Sequence, residues 1–490
     1  MSSQRLEGAG VSRRKLLGGV IGLTGAAAAG SLLAACGGGA PPTSTPAPQK
    51  PAAAATPAAE KPAAAATQAP AATAAPAAKP TEAPKPAAAP KPSGAQVTIK
   101  FHARQGQQED ELYKQRIPEF EAKYPNIKAV LENFPTNEYY AKIATMAAGG
   151  TIGDAAWTSI GSGSIYFLYA RKIIYPVDDF VSRDKFDLTP YFPGCIKALT
   201  RDGKLIGLPF KAHPGIALVY YNKKLFDDAG VKYPTEEWKH ADLVDLAKKL
   251  TKAPDYYGFL PTTTARGLLS FVKSFGGELL SEDGKTSQLN SKEGLGAIQF
   301  VDALFHEHKV SPAPDQIVGD SNQMWIAGKL AMFHSGTSTE VTRKQIGDKF
   351  QFFAVPNAKG PGGIGGSNYE VDAYAVIGSS KHKDEAWELV KWLTDQESGI
   401  RLGEIGGTVG GREDVYNSPR LLKDPIRKVF ADVMAKAGEF RIPANTRTDE
   451  YEKTTQQMLD PVWLGKEKPT KEYVDKVRDA VQKVLDKPLP

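Results

Sequence analysis

Residues 37–95 contain no Val, Leu, Ile, Met or aromatic side chain and consist almost entirely of Ala, Pro, Thr, Lys and Gly, with Pro recurring from Pro41 to Pro92. A segment with no large apolar groups cannot offset its ordering entropy by burial, so it reads as an extended tether. At the polyproline rise its 59 residues reach at most roughly 180 Å, and less where Ala runs make it flexible. Its scattered lysines keep it soluble and can graze anionic headgroups. Folding is thereby confined to what flanks the tether, residues 1–36 and 96–490.

The first flank has the order of an export signal. Ser12-Arg13-Arg14-Lys15 precedes a Gly/Ala/Leu stretch that ends in Leu33-Ala34-Ala35-Cys36, which is charged region, apolar region and small-residue cleavage site in turn. As a membrane span the stretch is barely long enough and too rich in Gly and Ala. The paired arginines resemble the twin-arginine type, with a Sec signal as the alternative. Leu-Ala-Ala-Cys resembles a lipobox, in which the Cys36 thiol is acylated and becomes the new N-terminus. The expectation is an extracytoplasmic protein, lipid-anchored to the cell membrane.

The formal charge of +6 invites a polyanion as partner, but four basic and one acidic residue fall in 1–36, and five Lys and two Glu in 37–95. What remains after residue 95 is 52 basic against 52 acidic side chains. A formally neutral body has no overall field for phosphate backbones, so no nucleic acid is expected. Only two cysteines exist. With Cys36 acylated, Cys195 has no disulfide partner and reads as a small buried residue. Stability must come from an apolar core, which a body of this size can build.

Within 96–490, Val97, Ile99 and Phe101 alternate with Thr98, Lys100 and His102, the period of a strand. Tyr113, Ile117, Phe120 and Tyr124 follow at helical spacing, with Pro118 tightening or kinking that helix. Residues 127–134 predict a strand, and Tyr140, Ile143 and Met146 a helix stopped by Gly149-Gly150. Apolar stripes at Leu243, Leu246, Ala247 and Leu250, at Leu295, Ile298, Val301 and Phe305, and at Ala386, Leu389, Val390 and Leu393 predict further helices. Short strands are predicted at 217–221, 330–334, 350–355 and 373–377, and after Pro419 the pattern is helical only. Alternating strands and helices indicate an α/β layer fold.

Asp202-Gly203-Lys204-Leu205-Ile206-Gly207-Leu208-Pro209-Phe210, followed by Tyr220-Tyr221-Asn222-Lys223-Lys224-Leu225-Phe226-Asp227-Asp228-Ala229-Gly230, resembles the extracellular solute-binding proteins of ABC importers, family 1, the sugar-type binders related to maltose-binding protein. Met146-Ala147-Ala148-Gly149-Gly150 before Gly153-Asp154, Trp325-Ile326-Ala327-Gly328-Lys329-Leu330-Ala331-Met332, Phe353-Ala354-Val355-Pro356 and Ala386-Trp387 through Trp392-Leu393-Thr394 agree in order and spacing. The resemblance implies a two-lobed periplasmic-binding-protein-like fold of type II, with discontinuous lobes closing around a ligand cleft. Lobe 1 is then expected at about 96–208 and 370–408, and lobe 2 at about 213–365 and 412–490. The chain would cross near 209–215, 365–373 and 407–412, where Gly and Pro crowd; ordinary surface loops suit the same residues.

The inventory for catalysis is empty. His-Glu-x-x-His, Gly-x-Ser-x-Gly and Cys-x-x-Cys are missing. Gly284-Lys285-Thr286 imitates the end of a phosphate loop, but the earlier Gly stands at 277 instead of 279. Gly360-Pro361-Gly362-Gly363-Ile364-Gly365 has dinucleotide spacing but leads into a strand. His306 and His308 face different sides of a helix. No enzyme activity, cofactor or metal is expected.

A cleft for a small solute needs a ring to stack on and a few polar groups. Candidates at strand ends and crossings are His102, Arg104, Asp154, Trp157, Phe210, His213, Ser335, Asn368, Tyr369, Arg412 and, in the late helical region, Tyr451. Trp157 and Phe210 serve equally well as core, and Arg104 as a solvated strand end. Maltose-binding relatives carry Gly-Pro-Trp or similar where this chain has Ser335-Gly336-Thr337-Ser338. Either Trp157 or Tyr369 replaces that ring, or the solute is an anion or zwitterion met by Arg104, Lys211 and Arg412. The expected function is capture of a small solute, a sugar being favoured, by a monomer that hands it to an ABC permease. A surface carbohydrate-active enzyme, with two carboxylates about 5–10 Å apart, and a sensor without a transport role are the alternatives.

Overall fold

The computed structural model describes residues 96–489 apart from Asn137, Gly163, Val318, Gly319 and Gly407. The expected export signal, tether and acylated Cys36 lie outside the described residues.

Two sheets organise the chain. The larger has strand order β12-β7-β11-β3-β1-β2, with β4 also beside β11. Its members are β1 (Val97–Arg104), β2 (Ile127–Phe134), β3 (Ala155–Ser159), β4 (Ile174–Tyr175), β7 (Leu208–His213), β11 (Glu370–Ile377) and β12 (Val409–Gly410). β1 runs parallel to β2 and β3, whereas β11 is antiparallel to both β3 and β7. The alternation read in β1 holds at Ile99, buried between exposed Thr98 and Lys100. From Phe101 onward every residue to Ala103 is buried, because β3 joins β1 at that point and covers the second edge. The smaller sheet is antiparallel, β10-β8-β9, built from β8 (Leu218–Asn222), β9 (Met332–Ser335) and β10 (Phe352–Pro356). β5 (Thr200–Arg201) and β6 (Lys204–Leu205) form a hairpin whose turn residues Asp202 and Gly203 both have positive φ, 50° and 71°, the mirror-image turn that matches strand twist.

Helices cover these sheets where their apolar stripes demand it. Phe120 and Trp392 meet between the helices Gln107–Lys123 and Lys383–Leu393, and Phe180 stacks on Trp387 over the larger sheet. In the other lobe Leu243, Ala247, Phe271, Ile298, Val301 and Trp463 share one core. Each buried Leu, Ile, Val or Phe of this kind contributes roughly 1.5–3 kcal/mol; Cys195 is a free, fully buried thiol whose pKa burial raises.

The chain leaves the larger sheet after His213 and returns at Glu370, close to the first two expected crossings. The third differs. Val409 and Gly410 pair with Ala212 and Lys211 in the larger sheet, Arg412 bridges Tyr191, and the Tyr416 hydroxyl donates to Ala212 O at 2.6 Å. Residues 412–416 therefore stay with the first lobe, and the helix Pro425–Met434 that follows packs on β10 of the smaller sheet. The glycines that suggested a crossing serve packing: a Cβ on Gly410 would stand 2.7 Å from Gly399 Cα, and one on Gly411 2.7 Å from Pro209 Cβ.

Candidate functional site

The register of β7 against β11 sets Lys211 opposite Asp372 and His213 opposite Glu370, and β11 against β3 sets Asp372 opposite Ser159. Opposite charges thus meet where the larger sheet faces the second lobe. The first turn of the helix Gln107–Lys123 adds Glu109, whose carboxylate takes the Lys211 ammonium. Lys211 Nζ also lies 3.2 Å from Asp372 Oδ2, and Arg104 Nη2 lies 3.6 Å from Glu109 and 3.7 Å from Asp372. Two cations and two carboxylates alternate in a ring. Burial pushes the Asp372 and Glu109 carboxyls up, but Lys211 and Arg104 outweigh it and hold both below their ordinary range. Burial opposes the charge on Arg104, and Asp372 and Glu109 more than restore it.

Arg104 lies over the Trp157 ring at 4.3 Å. Tyr140 stands 5.9 Å from the same indole, and Tyr139 meets it edge-on while donating its hydroxyl to Trp157 O at 2.6 Å. The Trp157 Nε1 and Arg104 Nε protons are buried with no acceptor.

Arg266 of the second lobe reaches this cluster. The helix Ala265–Ser274 is capped by the Thr264 hydroxyl on Gly267 N, which fixes Arg266 in its first turn. Arg266 donates through Nη1 to Glu370 at 3.0 Å, through Nε to Glu452 at 2.8 Å and through Nη2 to the carbonyl of Gly161, just past β3. A Cβ on Gly161 would lie 2.9 Å from Arg266 Nη1, so glycine is what permits this approach. Burial holds the Glu452 carboxyl above its ordinary value despite Arg266. His213 lies 3.9 Å from Glu370 and accepts Gly215 N–H at Nδ1; burial lowers its pKa, with Glu370 and Asp372 opposing, which keeps the ring neutral. On one flank a cavity of about 530 Å³ separates Gln108 and Glu111 of the first lobe from Glu340 and Arg343 of the second.

Arg104, Trp157 and His213 are therefore brought together, with Tyr451 close by, lining a small void with Arg266 and Glu452. The other expected contacts stand elsewhere. Asp154, at the opposite end of β3, accepts Lys100 N–H at 2.7 Å and the Ser380 hydroxyl at 2.6 Å, so its carboxylate is taken up inside the first lobe. Phe210 stacks on Tyr374 at 4.4 Å in the core. Ser335 is buried beside β8 and accepts from Thr339. Asn368 packs against Gly215 and Pro214 at the crossing, and Tyr369 against Phe192 and Gly194. Arg412 is held bidentately by Asp414 and lies over Tyr191. His102 is fully buried and accepts Gly153 N–H. Glu109, Glu370, Asp372, Arg266 and Glu452 were not anticipated. Among the described residues no group of three or more His, Cys, Asp or Glu could hold a metal ion, and no helix is long and apolar enough to cross a membrane.

The sequence pattern of the family described as bacterial extracellular solute-binding protein matches residues 103–400. A binding protein of Brucella abortus is 24% identical over 360 residues, covering 71% of this chain and 84% of the relative. The maltotriose-binding protein of Pyrococcus abyssi is 21% identical over 343 residues, 67% of this chain and 69% of the relative. Among solved structures, the ABC substrate-binding protein of Listeria monocytogenes in complex with cycloalternan superposes with a TM-score of 0.67 at 22% identity, covering 79% of this chain and 99% of that one. The two-lobed periplasmic-binding fold is shared.

Proposed function

The chain belongs to the bacterial extracellular solute-binding proteins, and from that premise we propose that it captures a neutral sugar between its lobes and hands it to an ABC importer. One observation carries the choice of solute: every cation at the interlobe cluster already faces a carboxylate, Arg104 and Lys211 facing Glu109 and Asp372, and Arg266 facing Glu370 and Glu452. An anion entering there would have to displace a buried carboxylate and leave it unpaired, at a cost of several kcal/mol. A hydroxyl, which donates to one member of such a pair and accepts from the other, enters without breaking the charge balance. The partly buried Tyr140 ring supplies an apolar face for the C–H surface of a sugar, backed by Trp157, which is itself 2% exposed and covered by Arg104. The maltotriose and cycloalternan named for two relatives support the same class.

Binding shifts the balance between open and closed arrangements, because a solute touches both lobes only when they are closed. The protein acts as a monomer, holds the solute without turning it over, and is anchored through an acylated Cys36. A thermal-shift screen of residues 96–490 against sugars, polyols, amino acids and anions tests the solute class. At a hundredfold excess over Kd a ligand adds about 2.7 kcal/mol to stability. A shift with an anion and none with any sugar would overturn the sugar reading, and product released from a glycan panel would overturn the binding-only reading. Uptake of the bound sugar that survives deletion of the gene would favour a sensor.

A further inference from the structure

The helix Ala265–Ser274 carries Arg266 at its first turn and Lys273 at its last, about 10 Å apart along the axis at 1.5 Å per residue. The far end opens into a second cavity, of about 560 Å³, bounded by Lys273, Glu278, Asn357, Arg441 and the exposed Ile364 of the glycine-rich loop. Two acceptors in its wall are buried without a hydrogen-bond donor, Glu278 Oε2 and Asn357 Oδ1, while Arg441 Nε makes no hydrogen bond and lies 3.7 Å from Glu439. Asn357 is 6% exposed, and its amide nitrogen is already committed to Ile216 O, so its oxygen is held unsatisfied beside the cavity. Glu278 gives its other oxygen to Lys273, and Arg441 gives Nη1 to Leu280 O. Beyond Glu278 the groove continues into a cavity of about 380 Å³ walled by Ser287, Gln288, Asn290 and Ser291, where Ser287 Oγ is again buried and unbonded.

We propose that this groove is a second binding site, on the second lobe and outside the interlobe cleft, for a neutral polyhydroxylated molecule centred on Glu278. Buried polar groups left unmade are costly, and here two unbonded acceptors lie in one wall beside the Lys273 and Arg441 cations. An anion would meet Glu278, and a cation would meet Lys273 and Arg441. A hydroxyl satisfies both kinds of group, and the hydroxyl and amide side chains beyond Glu278 extend the same chemistry. The volume accommodates a ligand of a few sugar rings. The site is separate from the cleft, because the void between Arg266 and Glu278 is only about 20 Å³, room for one water and not for a sugar ring. The proposal stands on different residues from the cleft and does not depend on what fills it.

Saturation-transfer NMR of the full chain with maltotriose, xylotriose and glycerol at millimolar concentration tests it. Transfer to at least one of these is expected in the wild type, to persist in Arg266→Gln, and to weaken roughly tenfold in Glu278→Gln, the loss of one charge-assisted hydrogen bond. Because Glu278→Gln leaves Lys273 without its carboxylate, Ile364→Arg, on the exposed loop, is the second variant and should also suppress the signal by crowding the mouth. Transfer that is untouched in both groove variants overturns the second site whatever Arg266→Gln does, as does the lack of any transfer to the wild type. A tight thermal shift with a sugar that survives Glu278→Gln reports on the cleft alone, so the two readings fail separately.

Discussion

The guanidinium of Arg266, on the second lobe, donates to the main-chain oxygen of Gly161, on the first. With its bonds to Glu370 and Glu452, this one side chain ties the lobes together across the cleft. Hydrogen bonds to a charged group contribute about 1.5–3 kcal/mol each net, comparable to the free energy that separates open from closed states. Arg266→Gln should therefore shift the unliganded protein toward the open form and weaken solute affinity by roughly tenfold to a hundredfold. Small-angle scattering, or energy transfer between labels on the two lobes, reads the first effect and calorimetry the second. Gly161→Ala, which places a methyl against Arg266, should act in the same direction; unchanged scattering in both variants would remove the clasp.

Lys211 is the counter-charge for two buried carboxylates, Glu109 and Asp372. Lys211→Met should destabilise the protein by about 3–5 kcal/mol, because it leaves two buried acids sharing Arg104 as their one remaining counter-charge. Adding Glu109→Gln to Lys211→Met, which leaves Asp372 paired with Arg104, should recover part of that loss. Chemical denaturation of the two variants beside the wild type measures it, and a Lys211→Met variant of wild-type stability would show that the ring contributes nothing.

The elements that position this cluster were readable because their cause is local. Period-two burial in β1 and apolar stripes such as Leu243, Ala247 and Leu250 follow from side-chain spacing alone. The cluster was not, because Lys211 and Asp372 are 161 positions apart and meet only through the β7–β11 register. A signal for it did exist: one Lys within Leu208-Pro209-Phe210-Lys211-Ala212 and one Asp within Val371-Asp372-Ala373-Tyr374, each a charge in an otherwise buried strand that required a partner. Asp154 and Arg412 were misleading for the opposite reason, since each finds its partners within its own lobe, Ser380 for the one and Asp414 for the other. The glycines at 410 and 411 looked like hinge residues because close packing and backbone freedom leave the same mark in a sequence.

The anchor proposed above rests on acylation of Cys36. Cys36→Ser should move the protein from the membrane fraction to the soluble fraction, read by fractionation of cells. Retention at the membrane would contradict a lipid anchor at that position. Cys195, being fully buried, should remain unreactive to thiol reagents in the folded protein and so should not complicate labelling of introduced cysteines.

Acid should loosen the second lobe before it reaches the carboxylates. His334 donates through Nε2 to Ile216 O at 3.0 Å and accepts Thr262 N–H at Nδ1, with Ser270 Oγ also beside Nε2. A second proton can enter only at Nδ1, against that amide. Burial lowers its pKa to about 3, and burial lowers that of His240, stacked on Phe300 at 4.1 Å, to about 4. Both fall from an unfolded value near 6.5, so between about pH 6.5 and 4 the unfolded chain binds protons that the native one refuses. Stability then falls as pH falls, by up to about 1.4 kcal/mol per pH unit for each ring. Urea titrations across that window should show this slope, and His240→Phe should reduce it by one ring's share while leaving stability above pH 7 less affected. A slope unchanged by His240→Phe would mean that other groups carry the titration.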